Sequence, residues 1–189
     1  MIRLGWRALS SPGYRGRISE RFGGGAADDR CCDLWIHAVS VGEVKAATPL
    51  VQRLLKEKKH LDIIITTMTP TGAQQVVDTF GSEVRHRFAP YDYPFAIRRF
   101  ITRFSPRLLI IMETEIWPNM IRICHQRGIA VAMANVRLPA RSARGYRFVL
   151  PLVRDGLNKV SLFAAQSEAD RKHLLSWESM HQERTGPAV

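Results

Sequence analysis

Cysteine is scarce in this chain of 189 residues, with only Cys31, Cys32 and Cys124. Adjacent cysteines rarely bridge each other and an odd count leaves one over, so the pattern points to a reducing compartment rather than a disulfide framework. No Cys-x-x-Cys pair is present, which argues against a structural zinc site. No run approaches the roughly 20 apolar residues needed to span a bilayer. Met1–Leu9 is too short and too arginine-rich for the apolar core of a signal peptide. Gly-x-Gly-x-x-Gly follows no strand-like segment and no Walker motif occurs, which disfavours a dinucleotide or P-loop site. Asp-x-Asp, the usual metal clamp of nucleotide-sugar enzymes, is missing too, so neither a metal nor another cofactor is expected.

Acids are also few. Asp and Glu number 17 against 28 Lys and Arg, a formal net charge of +11. That surplus calls for an anionic partner: phosphate, a membrane surface or nucleic acid. Nucleic acid is the weakest of these, because the aromatics are not interleaved with the basic tract as stacking platforms and no helix-turn-helix or zinc pattern appears.

The hydrophobic fraction of 46% is enough for one sizeable core, and the length suits one domain. Residues 1–30 read as a short, basic amphipathic arm and linker, with Arg3, Arg7, Arg15, Arg17 and Arg21 ahead of a flexible joint at Gly23–Gly25. From residue 34 short apolar runs alternate with helical patterns. The runs are 34–39, 63–67, 108–112, 129–134 and 161–165, with a weaker one at 84–89; the helical patterns are 43–58, 72–80, 95–104, 116–126, 142–157 and 168–176. Strand and helix taking turns predicts an α/β fold: a Rossmann-like, doubly wound parallel sheet over 31–176. Residues 177–189 read as a tail. Ligands of such sheets bind beyond the carboxyl ends of the strands, so the loops there carry the candidates.

In the first loop Gly42 permits a tight turn, and Ser40 with Glu43 matches a capping box. The functional alternative sets the Glu43 carboxylate at the sheet's mouth, able to take a proton from a hydroxyl nucleophile. The helix terminus would weaken that base and an apolar, closed site would strengthen it. The hydroxyl-rich loop at 66–72, with Thr69, either binds a polar ligand or caps the next helix. In Met112-Glu113-Thr114-Glu115-Ile116-Trp117-Pro118-Asn119, two acids two apart on an extended chain would share a face. They could bind a sugar hydroxyl, orient an arginine or hold a metal, or simply meet positive helix ends. From Ile116 to Arg154 there are seven arginines and no acid. Arg137, Arg141, Arg144 and Arg147 form either a phosphate-gripping ridge or an ordinary solvated face. His37 reads as a satisfied core group and Cys124 as a small core residue.

These motifs, in this order and spacing, resemble the bacterial Kdo (3-deoxy-D-manno-octulosonic acid) transferases. The matching stretches are Ser-Val-Gly-Glu at 40–43, Thr-Thr-Met-Thr-Pro-Thr-Gly at 66–72, Pro-Tyr-Asp at 90–92, Met-Glu-Thr-Glu-Ile-Trp-Pro-Asn at 112–119, Ala-Asn-Val-Arg-Leu at 134–138 and Ala-Ala-Gln-Ser-Glu-Ala-Asp at 164–170. Pro12–Arg15 and Glu20–Gly23 are similar to that family's membrane-proximal segment, which implies a membrane-proximal arm and linker over residues 1–30. The resemblance implies the amino-terminal half of a GT-B glycosyltransferase, receiving a lipid A precursor, while a missing carboxyl-terminal domain would bind CMP-Kdo. It implies Glu43 as general base and Glu113 as a second important acid. The acceptor-binding residues expected with it are Ser40, Gly42, Thr69, Glu115, Arg137, Arg141 and Arg144, the arginines on grounds of charge. It implies a peripheral protein on the cytoplasmic face of the inner membrane, inactive without its donor half. Another GT-B nucleotide-sugar enzyme, such as an epimerase relative, and a non-catalytic anion-binding module are the alternatives.

Overall fold

The computed structural model describes residues 17–25, 30–58, 60–113, 115–136 and 158–167. A 3-10 turn (Ile18–Phe22) precedes the alternating elements β1 (Leu34–His37), α1 (Val41–Glu57), β2 (Ile63–Thr67), α2 (Pro70–Phe80), β3 (Arg85–Phe88), α3 (Pro94–Phe104), β4 (Leu108–Met112), α4 (Pro118–Gln126), β5 (Ala130–Val136) and β6 (Leu162–Ala165). All neighbouring strands pair in parallel, in the order β3-β2-β1-β4-β5-β6. This is the doubly wound α/β fold expected from the alternation. The helical patterns at 142–157 and 168–176 and the tail at 177–189 lie outside the described residues.

The central strands are apolar on both faces because both faces are covered. Side chains alternate along a strand, so Trp35, Ile64, Leu109, Ile111, Val131 and Met133 meet α3 and α4 on one side. Leu34, Ile36, Ile63, Ile65 and Ile110 meet α1 and α2 on the other. Cys32 and Cys124 are free and buried in the first cluster, and burial pushes each thiol up to about 12. The edge strand β3 carries Arg85, His86 and Arg87, charged and polar side chains that discourage another chain from pairing along it.

One segment departs from the sequence reading. Gly23–Gly25 were expected to be a flexible joint within a linker, yet residues 17–25 are docked on the domain. Glu20 and Arg21 are buried. The Glu20 carboxylate accepts from the Phe88 amide at 2.8 Å and pairs with Arg17. Arg21 donates to the Met68 carbonyl at 3.0 Å and its guanidinium lies over the Phe88 ring, 4.5 Å from the centroid. Gly23 ends the turn at φ +72°, and a Cβ there would sit 2.3 Å from the Ala96 carbonyl oxygen of α3. The glycine is needed for close approach, not for slack.

Gly23→Ala is therefore expected to lower stability by about 2 kcal/mol or more, through strain at positive φ plus the clash. Chemical denaturation checks this; an unchanged midpoint would show that the turn is not held against α3.

Candidate functional site

Strand order reverses between β1 and β4. The chain leaves β1 for α1 on one face, and leaves β4 for α4 on the other, so a crevice opens at their carboxyl ends. The loops that meet there carry Ser40–Glu43 and Glu113–Trp117.

Glu43 is 4% exposed. Its backbone amide donates to Ser40 Oγ at 3.4 Å, while its carboxylate accepts from the Ser40 hydroxyl at 3.0 Å and from the Val39 amide at 2.8 Å. The capping box and the carboxylate at the sheet's mouth are thus one structure. Burial dominates the charge balance and raises the Glu43 pKa to about 7; the Val39 amide and Ser40 hydroxyl oppose it, and the charges of Glu115 and Glu113 add to it. Of the two opposing influences expected from the sequence, the closed environment is the one that shows in the raised carboxyl. A carboxyl poised near 7 suits general-base work at neutral pH.

Gly42 does not make the tight turn expected of it. It lies in the first turn of α1 without a positive φ, and a Cβ there would meet only Ser40 Oγ, at 3.7 Å. Its lack of a side chain instead leaves the helix start bare beside Glu43.

Glu113 and Glu115 do approach this site, but not as neighbours on an extended chain. β4 ends at Met112 and Glu113 turns at φ +61°, its amide donating to the Ala134 carbonyl at 2.8 Å. Asn135, on the adjoining strand end, is left-handed as well, at φ +59°. Such conformations cost a non-glycine residue on the order of 1 kcal/mol and gather at functional sites. Burial raises the Glu115 carboxyl, with Glu113 adding to the rise and the Trp117 indole opposing it; that indole N–H donates to Glu115 Oε2 at 3.0 Å. Among the described residues no group of three or more His, Cys, Asp or Glu side chains is placed to hold a metal ion.

Behind the crevice lies His37, fully buried at the end of β1. Nδ1 is 3.0 Å from Thr66 Oγ1, which also accepts from the Trp35 indole at 2.8 Å. The imidazole meets Trp117 edge-on with centroids 4.7 Å apart, and Nε2 has no hydrogen-bond partner among the described residues. The sequence marks His37 as a satisfied core group; one nitrogen of the two is. Burial lowers its pKa to about 3, so it is neutral.

Thr69 caps α2, its Oγ1 accepting from the Gly72 amide at 3.0 Å, which favours the structural alternative for that hydroxyl. Arg137, Arg141 and Arg144 lie outside the described residues. Their tract begins directly after Val136, where β5 ends on the same edge as Glu43.

Asp92 stands in the Pro-Tyr-Asp motif at 90–92, to which the sequence assigned no role. α4 opens with Pro118 and takes no cap from Trp117. Asp92, from the loop after β3, supplies it across space: its carboxylate accepts from the Asn119 and Met120 amides at 3.1 and 2.8 Å. Asn119 returns a bond to the Asp92 carbonyl at 2.7 Å. The signal was a proline-initiated helix lacking a local cap.

Asp92→Ala should cost about 1 kcal/mol by loss of the cap and shift the Trp117 fluorescence, since the loop above α4 loses its tie. For Glu43, the folded pKa lies above the unfolded one. Proton binding therefore favours the fold, fully below pH 4.5 and not at all once the pH has risen through about 7. Relative to the parent, Glu43→Gln should be more stable at pH 8 by on the order of 1–3 kcal/mol, with the difference fading at pH 4. A gain that does not depend on pH would contradict the burial account.

The comparisons with known proteins agree with one another. The family model described as 3-deoxy-D-manno-octulosonic-acid transferase (kdotransferase) matches residues 16–186. The 3-deoxy-D-manno-octulosonic acid transferase of Haemophilus influenzae is 45% identical over 171 residues, covering 89% of this chain and 40% of that protein. That of Bordetella pertussis is 34% identical, covering 88% and 39%. A probable mitochondrial 3-deoxy-D-manno-octulosonic acid transferase of Arabidopsis thaliana is 36% identical, covering 88% and 38%. The chain thus spans about two fifths of these relatives. Among solved structures, a UDP-GlcNAc 2-epimerase from Neisseria meningitidis superposes with a TM-score of 0.58 at 14% identity, covering 77% of this chain and 44% of that one. This likeness is one of fold.

Proposed function

The chain belongs to the 3-deoxy-D-manno-octulosonic-acid (Kdo) transferase family, and on that premise we propose that it is the acceptor-binding half of a GT-B enzyme moving Kdo from CMP-Kdo to a lipid A precursor. The observation that carries this reading is Glu43: a buried carboxyl, pushed up to about 7, at the crevice where the strand order reverses.

In the proposed reaction Glu43 takes the proton from a sugar hydroxyl of the acceptor. The freed oxygen attacks the anomeric carbon of Kdo with inversion, and the bond to CMP breaks with its electrons leaving on the phosphate. Glu113 and Glu115 orient acceptor hydroxyls, and the bare start of α1 at Ser40 and Gly42 leaves room for the sugar. Arg137, Arg141 and Arg144 contact the acceptor's phosphates, in keeping with the chain's net charge of +11. The donor belongs to a second domain, and the protein works at the cytoplasmic face of the inner membrane. Among the described residues no helix is long and apolar enough to cross a membrane.

The test uses this chain within the full-length enzyme. Glu43→Gln should lower kcat by about 10²–10⁴ while leaving acceptor affinity within a few-fold, and should remove the limb near pH 7 from the kcat/KM profile. Arg137→Ala with Arg141→Ala should instead weaken acceptor binding. A Glu43→Gln enzyme retaining full kcat would remove the general-base role.

A further inference from the structure

We propose that His37 is a positioning residue for the crevice: the Thr66 hydroxyl holds its imidazole in the tautomer protonated at Nε2, and that ring fixes the Trp117 indole and with it the Glu115 carboxylate. Its use in the reaction rests on the acceptor-orienting role proposed for Glu115. His37 and Thr66 are register partners on β1 and β2. With Trp35 they point to the sheet face covered by α3 and α4, where Trp117 also packs.

Hydrogen-bond counting selects the tautomer. A threonine hydroxyl has one proton to give and lone pairs to receive with. Thr66 Oγ1 receives the Trp35 indole N–H, which can only donate, at 2.8 Å. Its own proton has two acceptors in reach: the Ile36 carbonyl at 3.4 Å, long for an O–H···O bond, and His37 Nδ1 at 3.0 Å. The shorter contact takes the proton, so Nδ1 accepts. Burial keeps the ring neutral, and its single proton therefore sits on Nε2. That N–H meets no conventional acceptor among the described residues. The ring instead stands perpendicular to Trp117, 84° between planes and 4.7 Å between centroids, while Trp35 is farther away at 6.5 Å. The electron-rich face of the Trp117 indole is the acceptor this geometry offers.

A buried nitrogen without a conventional partner carries a desolvation penalty that an apolar side chain of the same shape avoids. Packing alone therefore does not explain a histidine here. Its place in the fold does. β1 ends at His37 and runs directly into the loop of Ser40–Glu43. The imidazole reaches Trp117, the residue before α4, and the Trp117 indole N–H donates to Glu115 Oε2 at 3.0 Å. One residue thus joins three strand ends at the crevice: β1 through its backbone, β2 through Thr66 and β4 through Trp117.

The experiment has a spectroscopic and a kinetic arm. In the 189-residue chain carrying isotope-labelled histidine, long-range proton–nitrogen correlation should show His37 as the Nε2–H tautomer, its Nε2 proton moved upfield by the indole ring current. Thr66→Val should release the ring to a mixture of tautomers, and His37→Leu should shift the Trp117 indole N–H resonance. In the full-length enzyme His37→Leu should lower kcat/KM for the acceptor by roughly 10–100-fold without lowering the denaturation midpoint. That loss should vanish in a Glu115→Gln background, where the group His37 positions is already gone. A residue that only fills the core would cost the same in both backgrounds. An Nδ1–H tautomer in the parent, an unmoved Trp117 indole resonance in His37→Leu, or losses that multiply in the double variant each overturn the proposal. Full activity of Glu115→Gln alone would instead remove Glu115 from the acceptor reading, and the tautomer and the Trp117 resonance would still decide whether His37 holds it.

Discussion

Six strands running the same way deliver every strand exit to one edge, and the reversal of order between β1 and β4 parts the helices above that edge. Everything chemical in this domain depends on that constraint. It brings the capping box at Ser40–Glu43 to face a loop that begins at Glu113, without any local signal that they meet. It also lets the core close on both sides of the sheet while leaving one crevice that side chains can enter.

Within the crevice a single carboxyl serves two purposes. Glu43 completes the start of α1 by accepting from Ser40 and Val39, which fixes its rotamer. The same fold-back takes it out of water, and desolvation then outweighs both hydrogen bonds in setting its protonation. A carboxyl that is fixed, buried and half-protonated near neutrality follows from a motif whose usual role is only to begin a helix. The second loop is held by similar means: Asp92 ties α4 from outside, Trp117 holds Glu115, and His37 backs the Trp117 ring. The left-handed Glu113 is held by its own amide, which donates to the Ala134 carbonyl.

Membership of the Kdo transferase family gives these parts a common purpose. The 3-10 turn, Pro-Tyr-Asp and the Trp-Pro-Asn stretch are joined through Arg21, Tyr91, Asp92 and Asn119 into one continuous rim around the sheet edge. Motifs that are weak one by one are, in space, consecutive pieces of a single wall.

Much was legible in the sequence because it rests on period and composition. Unbroken apolar runs such as Ile63–Ile65, short and set between helical patterns, read as strands covered on both faces, and the spacing of Ser40 and Glu43 matches its own cap. Even the polar edge strand at Arg85–Phe88 showed as a weak candidate. What the tertiary structure alone decided are the matters of distance and water. Gly23 reads as slack by type and proves to be a close contact, because only packing reveals the Ala96 carbonyl beneath it. Glu113 and Glu115 converge through a left-handed turn rather than through alternation, since dihedral choice at a strand end is set by what the neighbouring strand accepts. The pKa of Glu43 was undecidable from its neighbours in the chain, because desolvation depends on every atom that excludes solvent, and those atoms come from elsewhere in the sequence.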